Sequence, residues 1–219
     1  MNVLLDLDGT LTDPKQGIVG SIQHALRSLG RDAPEESALL KYIGPPLREI
    51  FRELLGEDGD TEQAVVAYRE RFVAIGMYQN AVYADIPEAL QLLRERGARL
   101  FVATSKPQVY AQRILDHFGL NQYFDEVYGS ELDGQRADKV DLIAHVLSVS
   151  RLDRTHTMMI GDRHHDVVGA IANGVRALGV LWGYGSREEL SGAGAEALLE
   201  TPGELGCLAF NKATRPLES

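Results

Sequence analysis

Four groups of residues in this 219-residue chain combine types and spacings that could do chemistry. Asp6-Leu7-Asp8 sets two carboxylates two residues apart, so a strand end can point both the same way. Like charges that close are costly unless a cation binds between them, and Mg²⁺ suits a hard, all-oxygen site of this kind. One carboxylate can attack phosphorus, while the other serves as general acid toward a leaving oxygen and then as general base for water. Thr104-Ser105 offers hydroxyls, and backbone N–H groups entering a helix, to an anion. Lys139 stands near a helix start, where its charge opposes the helix dipole unless it faces phosphate or a carboxylate such as Asp6. In Gly161-Asp162-Arg163-His164-His165-Asp166, a helix that included Asp162 would make Asp162 and Asp166 i,i+4 neighbours. Such a like-charge pair costs about 0.2–0.5 kcal/mol on an isolated helix, and a metal would reverse the sign.

Each group also has an ordinary structural explanation. Asp8-Gly9 can be a capped turn, and Thr104-Ser105 a plain N-cap with Pro107 as an early helical residue. Lys139 can pair with Asp138 or Asp141 in solvent, and Asp162 and Asp166 can be an N-cap and a first-turn acid. Adjacent histidines on a helix point in different directions, so His164 and His165 read as surface or supporting groups rather than as a zinc site.

What positions these groups is a sequence of strands and helices. Short apolar runs at Val3–Leu7, Leu100–Ala103, Glu126–Tyr128, Thr157–Ile160 and Arg176–Leu181 predict strands. Helical patterns lie between them over Pro87–Arg96, Pro107–Phe118, Lys139–Val149 and His165–Asn173. The alternation predicts an α/β fold, a doubly wound parallel sheet whose strand ends carry the site. Residues 14–81 differ. Ile18, Ile22, Ala25, Leu26 and Leu29 recur at helical spacing, Leu39, Leu40 and Ile43 suggest a second helix, Pro46 opens a third, and Ala64–Ile75 forms a fourth. The expected organisation is a core of residues 1–13 and 82–219 with a small all-helical insert, 14–81, after the first strand. The segment beyond Leu181 reads as Gly-rich turns, short helices and a polar tail.

A formal net charge of −10 and the lack of a Lys/Arg run argue against a nucleic-acid polymer as partner. A small anionic substrate would need a cation or a focused positive pocket. The single cysteine, Cys207, excludes an internal disulfide and is expected to be a small buried hydrophobe. The N-terminal apolar run is too short for a signal peptide and no segment reaches the length of a membrane span, so a cytoplasmic protein without a membrane partner is expected.

The joint order of the motifs is far more specific than any one of them. Asp6-Leu7-Asp8-Gly9-Thr10, then Thr104, then Lys139, then Asp162 with Asp166, resembles the haloacid dehalogenase superfamily of phosphohydrolases over essentially the whole chain. The resemblance implies that Asp6 is the nucleophile and Asp8 the general acid/base. It implies that Thr104, helped by the Ser105 backbone, binds the phosphoryl group, and that Lys139 neutralises charge. Mg²⁺ would be held by Asp6, the Asp8 backbone carbonyl and Asp162, with Asp166 supporting. An acid at position 8 favours a phosphatase over the dehalogenases and ion pumps, although phosphosugar mutases keep it. Asp6–Asp13, Gly44-Pro45-Pro46-Leu47, Thr104-Ser105-Lys106-Pro107 and Leu181–Gly185 are similar to the phosphoglycolate phosphatase group, and within it to the bacterial 5′-nucleotidase-like branch. The implied activity is hydrolysis of a small phosphomonoester, a nucleoside 5′-monophosphate or, alternatively, phosphoglycolate. The insert would then be a cap hinged at Asp13-Pro14 and Met77–Ala81, with Lys41, Gly44 and Arg48 as substrate contacts. A solvated helix face accounts for Lys41 and Arg48 equally well. Trp182 and Tyr184 are expected to pack beneath the Gly-rich turns.

Overall fold

Val3, Leu4 and Leu5 are all buried, so the first strand is covered on both faces, as parallel strands require. A computed structural model describes residues 1–208, and the end of the expected polar tail lies outside them. Along the chain come β1 (Asn2–Leu5), β2 (Thr12–Asp13), α1 (Lys15–Ser28), α2 (Glu36–Leu39), α3 (Leu47–Leu55), α4 (Thr61–Ala74) and β3 (Ala81–Val82). There follow α5 (Ile86–Glu95), β4 (Arg99–Pro107), α6 (Gln108–His117), β5 (Glu126–Ser130), α7 (Lys139–Val149), β6 (Thr157–Gly161), α8 (His164–Ala172), β7 (Arg176–Val180), α9 (Arg187–Gly192) and β8 (Ala197–Leu199).

Six strands form one parallel sheet in the order β5-β4-β1-β6-β7-β8. From β1 the chain builds outward through β4 and β5, then returns to the other side of β1 for β6, β7 and β8. The reversal makes the carboxyl end of β1 the switch point, where open α/β sheets bind ligands. Alternation sorts the strand side chains to two faces. Val3, Leu5, Leu100, Val102, Met158 and Ile160 join one apolar cluster with α5 and α6, while Leu4, Phe101, Ala103 and Met159 join another with α7 and α8. The fold is thus the doubly wound α/β sheet that the alternation predicts.

The helices α1–α4 sit between β1 and the rest of the sheet in sequence, and α1 packs along α4. The chain enters and leaves this insert side by side, because β2 and β3 pair antiparallel with Asp13 opposite Ala81. Arg71 of α4 stitches the base, donating to Ser21 Oγ at 3.1 Å and Gln79 Oε1 at 2.8 Å.

Several local expectations differ. The suggested second helix is a single turn, α2, followed by a 3₁₀ turn at Leu40–Tyr42. The β4 strand runs on to Pro107, and α6 starts only at Gln108, because a proline disfavours helical backbone in the residue before it. The edge strand β8 was not expected: three residues between Glu196 and Glu200 are too few to show a period. Cys207 is exposed rather than buried, since it ends a 3₁₀ turn whose Leu205 fills the core instead. No helix among the described residues is long and apolar enough to cross a membrane.

Gly17 tests how tightly the insert is seated on its exit segment. Alanine is favoured over glycine in a helix by up to about 1 kcal/mol. A β-carbon on Gly17 would nevertheless lie 1.9 Å from the Gly76 carbonyl oxygen, and backbone cannot yield cheaply. Gly17→Ala is expected to lower stability by about 1–3 kcal/mol, against its propensity. Urea denaturation reads this directly, and an unchanged or higher midpoint would contradict the packing described.

Candidate active site

The ends of β1, β4 and β6 bring the four sequence groups to one place. Asp6 and Asp8 follow β1, Thr104 lies within β4, Lys139 opens α7, Asp162 follows β6 and Asp166 sits in the first turn of α8. All six side chains are buried, and Ser105 beside them is half-buried. Asp138, not Lys139, caps α7, its carboxylate accepting from Val140 N and Asp141 N. That frees the Lys139 side chain to cross inward. Its Nζ donates to the Ala103 carbonyl at 2.8 Å and lies 2.9 Å from Asp6 Oδ1 and 2.6 Å from Asp166 Oδ1. Burial works against this charge, yet Asp166 and Asp6 raise the lysine above its ordinary range. Lys139 is therefore a fixed cation.

The helical pairing of Asp162 with Asp166 does not occur. Arg163 is extended, at φ −123° and ψ 156°, so α8 begins at His164 and Asp162 stays in the loop. Asp162 Oδ2 accepts from Tyr184 N at 2.8 Å, while Asp166 Oδ2 accepts from Arg163 N at 3.2 Å. His164 and His165 also depart from the expected divergence. Their ring centroids are 3.8 Å apart, because His164 is the first helical residue and its side chain is drawn to Glu189 at 2.9 Å. Burial, and then His164, lower His165 to about 4.

The carboxylates suit a divalent cation. Asp6, Asp162 and Asp166 offer oxygens that all lie within 4.8 Å of one another. Oxygens held by one Mg²⁺ at about 2.1 Å are separated by at most about 4.2 Å, so small shifts would complete the set. Burial, then the charges of Asp166 and Asp6, push Asp162 well above the ordinary carboxylate range. Burial raises Asp166 to about 6 against the opposing charge of Lys139. Asp162 Oδ1 is buried without a hydrogen bond. Unmatched buried oxygens of this kind are what a bound cation would satisfy. Asp166 has one oxygen on Lys139 and the other on a backbone N–H, which leaves it better placed to support than to ligate.

A cavity of about 380 Å³ opens from Asp6 and Asp8 toward the helical insert, where Tyr42, Tyr68 and Phe72 contribute walls, joined by Tyr110 of α6. Of the three expected contacts in the insert, Gly44 and Arg48 line this cavity. The Arg48 guanidinium is already engaged, at 2.6 Å from Glu62 and donating to the Asp133 carbonyl at 2.9 Å. Lys41 is directed elsewhere, 2.7 Å from Glu53 and over the Tyr42 ring.

Further residues hold the site together. Lys106 Nζ lies 2.7 Å from Asp8 Oδ2, with its side chain only 6% exposed. Its place is set at the irregular end of β4, where the register with β5 shifts between Thr104 and Pro107, so strand alternation alone does not reveal it. Arg163 donates to the Ile43 carbonyl of the insert at 2.6 Å and to Glu189 at 2.9 Å, and its stem lies against Gly44. Nothing local reveals a contact that spans 120 residues of chain. Tyr184 does more than pack: besides its N–H on Asp162, its hydroxyl donates to Asp13 at the entry to the insert. Trp182 Nε1 likewise donates to the Thr10 carbonyl at 3.0 Å. The close approach of this loop requires Gly183, where a β-carbon would stand 2.4 Å from both Asp162 Cβ and the Gly9 carbonyl oxygen.

Comparison with known proteins agrees with this geometry. A 5′-nucleotidase of Pseudomonas aeruginosa is 50% identical over 190 residues, covering 86% of each chain. A Mycobacterium tuberculosis protein named tyrosine-protein kinase PtkA is 46% identical over 184 residues, which are 84% of this chain but only 62% of that one. The crystal structure of a predicted phosphatase from Clostridium acetobutylicum superposes with a TM-score of 0.89 at 42% identity, covering 94% of this chain and 96% of that chain. The profile described as haloacid dehalogenase-like hydrolase matches residues 3–180. With that match over most of its length, and the motif residues gathered at one strand switch point, the chain belongs to the haloacid dehalogenase-like hydrolase family.

Proposed function

We propose that this phosphatase hydrolyses small phosphomonoesters through an aspartyl-phosphate on Asp6, with Mg²⁺ as cofactor and nucleoside 5′-monophosphates as preferred substrates. The observation that carries the reading is the placing of Asp6: it stands at the sheet's switch point, 2.9 Å from the buried Lys139, at the inner end of the cavity. An Asp6 oxygen forms a bond to phosphorus as the bond from phosphorus to the ester oxygen breaks. Asp8 gives its proton to that oxygen, and the alcohol departs. Asp8, now a carboxylate, takes a proton from a water whose oxygen attacks phosphorus, releasing inorganic phosphate and restoring Asp6. Burial raises Asp8 above the ordinary carboxylate range, with Lys106 opposing, which favours the protonated form that the first step needs. Thr104 and the Ser105 backbone orient the phosphoryl oxygens, and Lys139 offsets the charge on nucleophile and phosphate. Mg²⁺ held by Asp6, Asp162 and the Asp8 carbonyl, with Asp166 in support, would supply further charge stabilisation to the phosphoryl group.

Residues 14–81 act in this reading as a cap over a core of 1–13 and 82–219. The cap's aromatic walls suit a flat base, and base–aromatic stacking is worth about 1–3 kcal/mol. The 50% identical nucleotidase supports the same preference. The kinase-named relative extends well beyond the matched part, so its name is not carried to this chain.

Phosphate release from nucleoside monophosphates, phosphoglycolate and sugar phosphates tests the substrate, with Mg²⁺ and with EDTA. Metal-dependent release strongest on nucleotides is expected. Strongest release on phosphoglycolate would retain the mechanism and change the substrate, and a phosphoenzyme that resists water would indicate a mutase. Asp6→Asn is expected to abolish turnover with the fold intact by circular dichroism; retained turnover would remove Asp6 as nucleophile. Independently of activity, Mg²⁺ at a hundredfold excess over its Kd should stabilise the fold by about 2.7 kcal/mol. Thermal unfolding should show that gain in the wild type and lose it in Asp162→Asn; an equal gain in both would place the metal elsewhere.

A further inference from the structure

Lys106 is a buried cation that the steps above leave without a role. Lys106 lies near the end of β4, where the register with β5 shifts between Thr104 and Pro107, and its N–H donates to Thr104 Oγ1 at 3.3 Å. Its Nζ lies 2.7 Å from Asp8 Oδ2, while Asp8 Oδ1 is buried with no hydrogen-bond partner. The two oxygens of one carboxyl are thus made unequal, one held by an ammonium group and one left free. The opposite side of the ammonium is covered by the insert: Nζ stands 4.6 Å from the centroid of the Phe72 ring, within cation–π range. Phe72 belongs to α4 and stacks on Tyr68 at 5.4 Å, so this cover is part of the aromatic wall of the cavity.

We propose that Lys106 is a positioning residue for Asp8: it grips Oδ2 so that Oδ1 is presented to the leaving-group oxygen, and Phe72 completes the grip from the cap. The proposal rests on the reading of Asp8 as general acid. It adds a route by which the position of the cap bears on proton transfer, because only a cap seated over the core brings Phe72 onto Lys106. Withdrawing the ring would admit water to the Lys106–Asp8 pair and weaken its attraction, as Coulomb energy falls with rising dielectric.

Leaving-group chemistry separates this role from simple phosphate binding. A nucleoside leaving group needs a proton, whereas 4-nitrophenolate leaves without one. The kcat/KM value reports the steps through phosphoryl transfer to Asp6. For Lys106→Met it is expected to fall about 100-fold on a nucleoside monophosphate, the scale of general acid catalysis. On 4-nitrophenyl phosphate it should fall less than about 5-fold, with Asp8→Asn showing the same selectivity and Lys106→Arg recovering part of the loss. Phe72→Leu should act in the same direction, and part of its loss should disappear in the Lys106→Met background, since residues acting as one unit are non-additive. Equal losses on the two esters in Lys106→Met, with an active wild type, would overturn the role of Lys106 while leaving the phosphatase reading intact. Additive losses for the two substitutions would overturn the part assigned to Phe72. A wild type inactive on both esters would remove the phosphatase reading, and this proposal with it.

Discussion

The constraint on which the rest depends is the crowding of acids at the end of β1. Asp6, Asp8, Asp162 and Asp166 are all buried, and two ammonium groups, Lys139 and Lys106, meet them. Four ionised carboxylates would leave two charges unmatched by the two ammoniums, and protonation of Asp8 reduces that excess to one. At an effective dielectric of about 20, two unit charges 4 Å apart interact by about 4 kcal/mol, so the cluster cannot stay fully ionised on its lysines alone. Burial first, and then the neighbouring carboxylates, displace Asp162 and Asp166 upward. A fold that concentrates charge in this way sacrifices stability for a site suited to a cation.

Holding the acids requires the loops to be locked, and the locks reach into the insert. Tyr184 orients Asp162 through its N–H and ties Asp13 through its hydroxyl. Arg163, next in sequence to Asp162, grips the turn at Ile43. Arg48 and Arg69 reach the other way, donating to the carbonyls of Asp133 and Leu132 in the loop after β5. In each arginine contact the acceptor is backbone. The seating of the insert on the core therefore draws on guanidinium donors at three positions, each of which grips backbone.

The sheet was legible because its strands are short apolar runs punctuated by helices of clear period, and Leu100–Ala103 and Thr157–Ile160 are both in the observed strands. The gathering of Asp6, Thr104, Lys139 and Asp162 followed from their shared station at strand ends or helix starts. What escaped was set by tertiary contact rather than by period. The side of Lys106 depends on the register shift at the end of β4, and the reach of Arg163 depends on where the insert settles. The ring-on-ring placing of His164 and His165 depends on Glu189, 25 residues away from His164. Edge strand β8 carries too few residues to leave a signature.

The cavity divides its labour by origin. Its inner end is built by the core, from Asp6, Asp8, Thr104 and Ser105, and its far end by Tyr42, Tyr68 and Phe72 of the insert. Chemistry and substrate choice can then vary separately, since an insert side chain can change without disturbing the charge balance at β1. That separation fails where a side chain of the insert touches the reacting groups. Phe72 over Lys106 is such a point, and Tyr68 is close to another, because burial and then the charge of Asp8 hold its phenol far above the ordinary range. A neutral phenol and an aromatic face are the two surfaces that the insert can bring to buried charges without adding a charge of its own. Positions 68 and 72 therefore meet the charged groups of the core as well as the cavity, whereas Tyr42, whose hydroxyl donates to Glu53 at 2.8 Å, meets the cavity and its own insert.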